Sequence, residues 1–156
     1  MAAIHRLERT QLIPISLEKA WDFFSRPHNL EQITPAYMRF HITSPPVAHM
    51  YAGEVITYVI HPLLGIPLRW MTEITHVQEG RYFVDEQKKG PYALWHHQHH
   101  FEQVPGGVKM TDIVHYQLPL GLLGTLAEKL FVARQLEDIF AFRRKAITQL
   151  FGSLQE

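Results

Sequence analysis

Four of the chain's eleven histidines fall between His96 and His100, and Asp112 follows on the next run of β-prone residues. Imidazole changes charge near neutral pH, exchanges hydrogen bonds with carboxylates and ligates metals. Leu94 to Tyr116 alternates in polarity and is interrupted once, at Pro105-Gly106, the signature of a β-hairpin. A turn centred there pairs Glu102 with Lys109, a favourable opposite-charge pair. It places Trp95, His97, His99 and Phe101 on one face, opposite Tyr116, Val114, Asp112 and Met110. The other face collects His96, Gln98, His100 and Glu102 with Lys109, Thr111 and His115. A slip of one residue spoils both the charge pair and this segregation.

His97, His99 and Asp112 are therefore the polar groups of an otherwise apolar, aromatic face, with His99 opposite Asp112. A buried carboxylate requires a partner, and an imidazole supplies one. Three chemistries fit: a structural hydrogen bond locking the hairpin; polar anchors in a ligand cavity; or a two-histidine, one-carboxylate metal site or acid–base pair. The sequence nominates no further metal ligand, activated nucleophile, phosphate loop or cofactor fingerprint. The expectation is no tightly bound metal and no cofactor.

Around this hairpin the chain reads as further strands and a few helices. His5–Ile13 suits a first strand ending at Pro14. Ser16 is placed to cap a helix over Leu17–Phe24, whose Leu17, Ala20, Trp21 and Phe24 share one face. Pro27 and Pro35 bracket a second short helix. Phe40–Thr43, Val55–His61, Leu68–Val77 and Arg81–Gln87 are strand-like, and the short turns between them favour antiparallel pairing. Beyond Pro119 and Gly121, Leu122–Phe151 is predicted as one long helix. Its broad stripe includes Leu126, Leu130, Ala133, Leu136, Phe140, Ile147 and Leu150. Such a helix needs a concave apolar surface, which a curved sheet provides. Arg143-Arg144-Lys145 reads as a solvated helix face.

With 156 residues, the expectation is a single domain over the whole chain, residues 1–156. Acidic and basic residues total 15 each, so no basic field exists to neutralise a phosphate backbone, and nucleic-acid binding is not expected. The absence of cysteine excludes disulfides and thiolate chemistry. The N-terminus lacks the apolar core of a secretion signal, and no apolar stretch is long enough to span a membrane. These features predict a cytoplasmic protein.

Gly90-Pro91-Tyr92, Trp95-x-His97-x-His99-x-Phe101, the Gly-Gly turn, Asp112-x-Val114-x-Tyr116 and Pro119-x-Gly121 before a long helix resemble the SRPBCC ligand-binding superfamily. That group includes START lipid-transfer domains, birch-pollen-allergen-like proteins and polyketide cyclases. Pro14-x-Ser16-x-Glu18-x-Ala20-Trp21-x-Phe23-Phe24 and Asn29-Leu30-x-x-Ile33-Thr34-Pro35 resemble its opening segments. The resemblance implies an α+β helix-grip fold: about seven antiparallel strands curved around the C-terminal helix, with two short helices after the first strand. It also implies a cavity for a hydrophobic small molecule, lipid, polyketide or isoprenoid-like. Trp95, His97, His99, Phe101, Asp112, Tyr116, Leu126 and Leu130 are the expected lining residues. A cyclase or dehydratase using His97, His99 and Asp112 is the alternative, and a homo-oligomer is compatible with either. The apolar segment His61–Pro67 is expected to pack on the core or a second subunit, or to cap the cavity mouth near Leu122 and Leu123.

Overall fold

The computed structural model describes residues 3–154. Strand β1 (His5–Ile13) leads through Pro14 into helix α1 (Leu17–Phe24), whose first turn is capped by Ser16 Oγ accepting from Lys19 N at 3.1 Å. Two 3-10 turns follow, Pro27–Ile33 and Ala36–Met38. The remaining strands are β2 (His41–Ile42), β3 (Val55–Leu63), β4 (Ile66–Gln78), β5 (Tyr82–Lys89), β6 (Leu94–Val104) and β7 (Gly107–Gln117). The predicted second short helix is thus of the 3-10 type.

All seven strands form one antiparallel sheet in the order β1-β7-β6-β5-β4-β3-β2. Consecutive strands from β2 to β7 pair as hairpins, while β1 crosses to the far edge and joins β7. The β6–β7 register pairs Glu102 with Lys109 and His99 with Asp112, as the polarity pattern requires. The expected helix-grip architecture is borne out.

The C-terminal helix begins at α2 (Gly121–Ala127), widens into a π turn (Glu128–Val132) and continues as α3 (Ala133–Phe151). The spacing predicts one long helix, which the structure shows, with a π turn that changes which residues face inward. Its extra residue rotates the preceding turns relative to α3. The inward line becomes Glu128, Val132, Leu136 and Phe140, with Glu128 held inside by a hydrogen bond from Tyr116 Oη at 3.0 Å. Leu126 and Leu130 consequently face solvent, 55% and 57% exposed. Both are corrections to the predicted lining.

The C-terminal end of the helix packs directly on the sheet. There Ile147 and Ala146 pack with Ile13, Trp21, Phe24, Phe83, Phe101 and Met110 into the main core. Trp21 meets Phe83 and Phe101 edge-on, and Phe23 meets Phe151 likewise, the orientation that aromatic quadrupoles favour. Among the described residues, no helix is long and apolar enough to cross a membrane.

Candidate functional site

Toward the N-terminal end of α3 the helix and sheet separate, leaving a cavity of about 280 Å³. Met38, Ile56, Ile60, Leu68, Trp70 and Leu136 are among its apolar walls. Trp70 lies at the centre of the aromatic lining, stacked on Tyr58 and edge-on to Trp95. The cavity's polar groups include Asp85, His97, His99 and Arg143. Period-two alternation on β5 and β6 brings Asp85, His97 and His99 to the concave face, while His96 and His100 lie on the other.

Two histidines and two carboxylates interlock at this floor. His97 Nε2 donates to Asp112 Oδ1 at 2.9 Å, and His99 Nε2 donates to Asp85 Oδ2 at 2.6 Å. His97 Nδ1 lies 3.7 Å from the same Asp85 oxygen, and His99 Nδ1 lies 3.2 Å from Asp112 Oδ1 without a hydrogen bond. The imidazoles are 3.7 Å apart between centroids. Arg143 Nη2 lies 3.6 Å from Asp112 Oδ1, so a guanidinium joins the cluster from the helix.

This arrangement separates the ionisation of neighbouring groups. Burial lowers His97 below the usual imidazole value, and the charge on His99 lowers it further, more than its carboxylate partners restore. Burial also opposes protonation of His99, but Asp112 and Asp85 together hold its affinity for a proton above the usual value. Burial would raise Asp112; Arg143 and both histidines hold it well below the normal carboxylate range. Asp85 is likewise lowered despite burial, chiefly by His99, with His97 and a hydrogen bond from Trp95 contributing. The floor is thus an ion cluster with one basic and one weakly basic imidazole.

The predicted site residues divide into four groups. Trp95, His97 and His99 line the cavity; Phe101 and Tyr116 are buried in the flanking cores. Asp112 lies behind the histidines and borders a second cleft of about 250 Å³ between β1 and α3. Leu126 and Leu130 lie outside. His99 and Asp112 are cross-strand neighbours within hydrogen-bonding reach, as expected, with Nδ1 3.2 Å from Asp112 Oδ1; the hydrogen bond of His99 nevertheless goes to Asp85, and Asp112 receives His97.

Sequence reasoning missed Asp85 and Arg143. Asp85 stands in Tyr82–Lys89, where alternation is masked by polar residues on both faces, although pairing β5 with β6 places it opposite His97. Arg143 stands in a charge run that reads as a solvated face, yet its side chain is only 11% exposed; the step of three from Phe140 is the available signal. Its neighbour Arg144 is exposed, as expected, and donates to Thr10 O at 2.9 Å.

The His61–Pro67 segment is not an open loop. Strands β3 and β4 run through it to a tight turn with Leu64 and Gly65 both at positive φ. Leu63, Leu64 and Ile66 are exposed. Gln135 Nε2 donates to Pro62 O at 2.6 Å, and both residues line the cavity, so the hairpin tip lies beside the start of α3. Leu123 is exposed nearby in sequence at the helix start, and the side chain of Leu122 lies outside the described residues.

No family model matches the chain, and no curated protein sequence matches it. Solved structures do. A structural-genomics protein from Chromobacterium violaceum superposes with a TM-score of 0.71 at 12% identity, covering 97% of this chain and 99% of its own. Major latex-like protein 151 from Panax ginseng gives 0.68 at 14% identity, over 95% of this chain and 97% of that one. Protein Ms6760 from Mycobacterium smegmatis gives 0.68 at 16% identity, over 93% and 89%. At such identities the likeness is one of fold, and the fold shared along nearly the full length is the helix grip.

Proposed function

We propose that this chain binds a hydrophobic small molecule, lipid, polyketide or isoprenoid-like, between its sheet and C-terminal helix. The observation that carries this reading is the cavity: apolar walls with a few convergent polar groups at one end are the usual form of a small-molecule site. An extended apolar ligand would lie along Ile56, Ile60, Leu68 and Trp70. An oxygen function at its end would meet His97, His99 and Arg143. The fold shared with major latex-like protein 151 is compatible with this use. Native mass spectrometry of protein purified without added ligand tests it, together with displacement of a fluorescent fatty-acid probe. A co-purifying lipid-sized mass and stoichiometric probe binding, both abolished by Leu68→Trp in a folded variant, are expected. Absence of both sinks the reading.

A cyclase or dehydratase is the second reading, favoured by the opposite shifts of His97 and His99. Environments that push neighbouring pKa values apart assign an acid and a base: His99 would give a proton and His97 take one. The bound ligand would then lose the mass of one water, or cyclise at constant mass, in the parent but not in His97→Gln. An unchanged ligand in both leaves a binder.

A further inference from the structure

Against the expectation of no tightly bound metal drawn from the sequence, which did not bring Asp85 to the histidines, we propose that Asp85, His97 and His99 bind one divalent transition-metal ion at the cavity floor, with Asp112 orienting both histidines from behind. One ligand atom from each of the three lies within 4.8 Å of the others. The available pairs are His97 Nδ1 with Asp85 Oδ2 at 3.7 Å and His99 Nε2 with the same oxygen at 2.6 Å. Donors bound at about 2.1 Å around one ion stand roughly 3.0–3.4 Å apart at angles between right and tetrahedral. The two imidazole–carboxylate pairs stand within an ångström of that geometry, one contact closing and the other opening, and the two imidazole nitrogens lie within 4.8 Å of each other.

The remaining ring nitrogens argue for the same assignment. His97 Nε2 already donates to Asp112, and His99 Nδ1, buried and without a hydrogen bond, lies 3.2 Å from the same Asp112 oxygen. Metal-bound histidines commonly present their far nitrogen to a carboxylate in this way, which fixes the ring and strengthens the ligand. The chemistry balances. Neutral His99 moves its Nε2 proton to Nδ1, where it faces Asp112, and the ion takes the freed Nε2 beside Asp85; His97, which keeps its proton on Nε2, offers Nδ1. Asp85 and Asp112 supply two negative charges against the single guanidinium of Arg143, so the cluster accommodates a further cation. Asp85, His97 and His99 border the cavity whereas Asp112 does not, leaving the ion's open positions toward the ligand space. Two imidazoles and one carboxylate suit zinc, iron(II), cobalt(II) or nickel(II) rather than magnesium or calcium. An ion there would polarise a ligand oxygen as a Lewis acid.

This inference is independent of the hydrophobic-ligand reading, because it is tested with metal alone. Untagged protein is stripped with chelator, dialysed and titrated with cobalt(II), then zinc(II). One equivalent is expected to bind at micromolar or tighter affinity, with visible cobalt bands displaced by zinc. Asp112→Asn should weaken binding about 10–100-fold, and Asp85→Asn by more than that. His96→Ala and His115→Ala, on the outer face where their rings neighbour each other, should leave it unchanged. Imidazole nitrogen NMR of the parent protein needs no variant: zinc should shift His97 Nδ1 and His99 Nε2. Failure to bind either ion stoichiometrically overturns the proposal. So does binding that survives Asp85→Asn, or nitrogen shifts confined to the outer-face histidines.

Discussion

The two ends of the long helix bury similar residue types against one sheet with opposite outcomes. At the C-terminal end, Ile147 and Phe101 are sealed into a dense aromatic core. At the N-terminal end, Leu136 and Trp70 face a cavity, and Leu63, Leu64, Leu123 and Phe131 remain exposed around the helix start and the β3–β4 tip. Hydrophobicity does not distinguish these ends; one is filled with side chains and the other encloses a cavity. The buried acid Glu128, drawn in by Tyr116, accompanies the π turn on the cavity side.

The comparison is sharpest in stability. Phe101→Ala, which opens a void in the sealed end, should cost about 3–5 kcal/mol in chemical denaturation. Leu130→Ala at the other end of the helix should stay within about 0.5 kcal/mol. Comparable losses from the two would erase the distinction.

Between the two ends lies the ion cluster. Asp112→Asn keeps the side chain's size but removes the charge opposing Arg143, and should cost about 1–3 kcal/mol by the same measurement. A variant as stable as the parent would mean that the network is retained for function at no structural gain.

A smaller effect is expected at Glu54, beside the sealed core, where Oε2 is buried without a partner. Burial raises its pKa, so the folded chain favours the neutral acid. That contribution is fully present below the unfolded carboxyl value and is lost as pH rises through the higher folded one. Glu54→Gln should therefore raise the melting temperature at pH 7 and have little effect near pH 4. An equal shift at both pH values would exclude ionisation as the cause.

The smallest stability effect belongs to the hairpin tip. Replacing Leu63 and Leu64 together with Ser should leave the melting temperature almost unchanged, because both are exposed. If this tip gates the cavity, stopped-flow binding of the fatty-acid probe should show altered on- and off-rates. Unchanged rates would make it a passive edge of the site.

Much of the fold was legible because it rests on local signals. Alternation fixed the faces of β6 and β7, the charge pair Glu102–Lys109 fixed their register, and Ser16 and Pro27 marked their helix and turn starts. The site was half legible. His97, His99 and Asp112 share a hairpin, so a sequence register brings them together. Asp85 and Arg143 arrive from another strand and from the helix, which no local period connects to them. The misplacement of Leu126 and Leu130 has a similar origin: regular helical spacing carries no sign of a π turn whose inward residue is held from across the fold.

The pairing of β1 with β7 also bears on how the chain is made. Thr10 faces Thr111, and the same strand is fastened to the C-terminal helix by Gln11 Nε2 donating to Arg144 O at 3.0 Å and Arg144 donating back to Thr10 O at 2.9 Å. On the ribosome, β1 emerges before the rest of the sheet, yet its pairing strand β7 is the last strand to be synthesised. The hairpins from β3 to β7 can zip as they appear, whereas closing the first strand must await nearly the whole chain, a long loop closure and a slow step. Until then the concave face that becomes core and cavity lies open, and apolar surface exposed in this way favours aggregation.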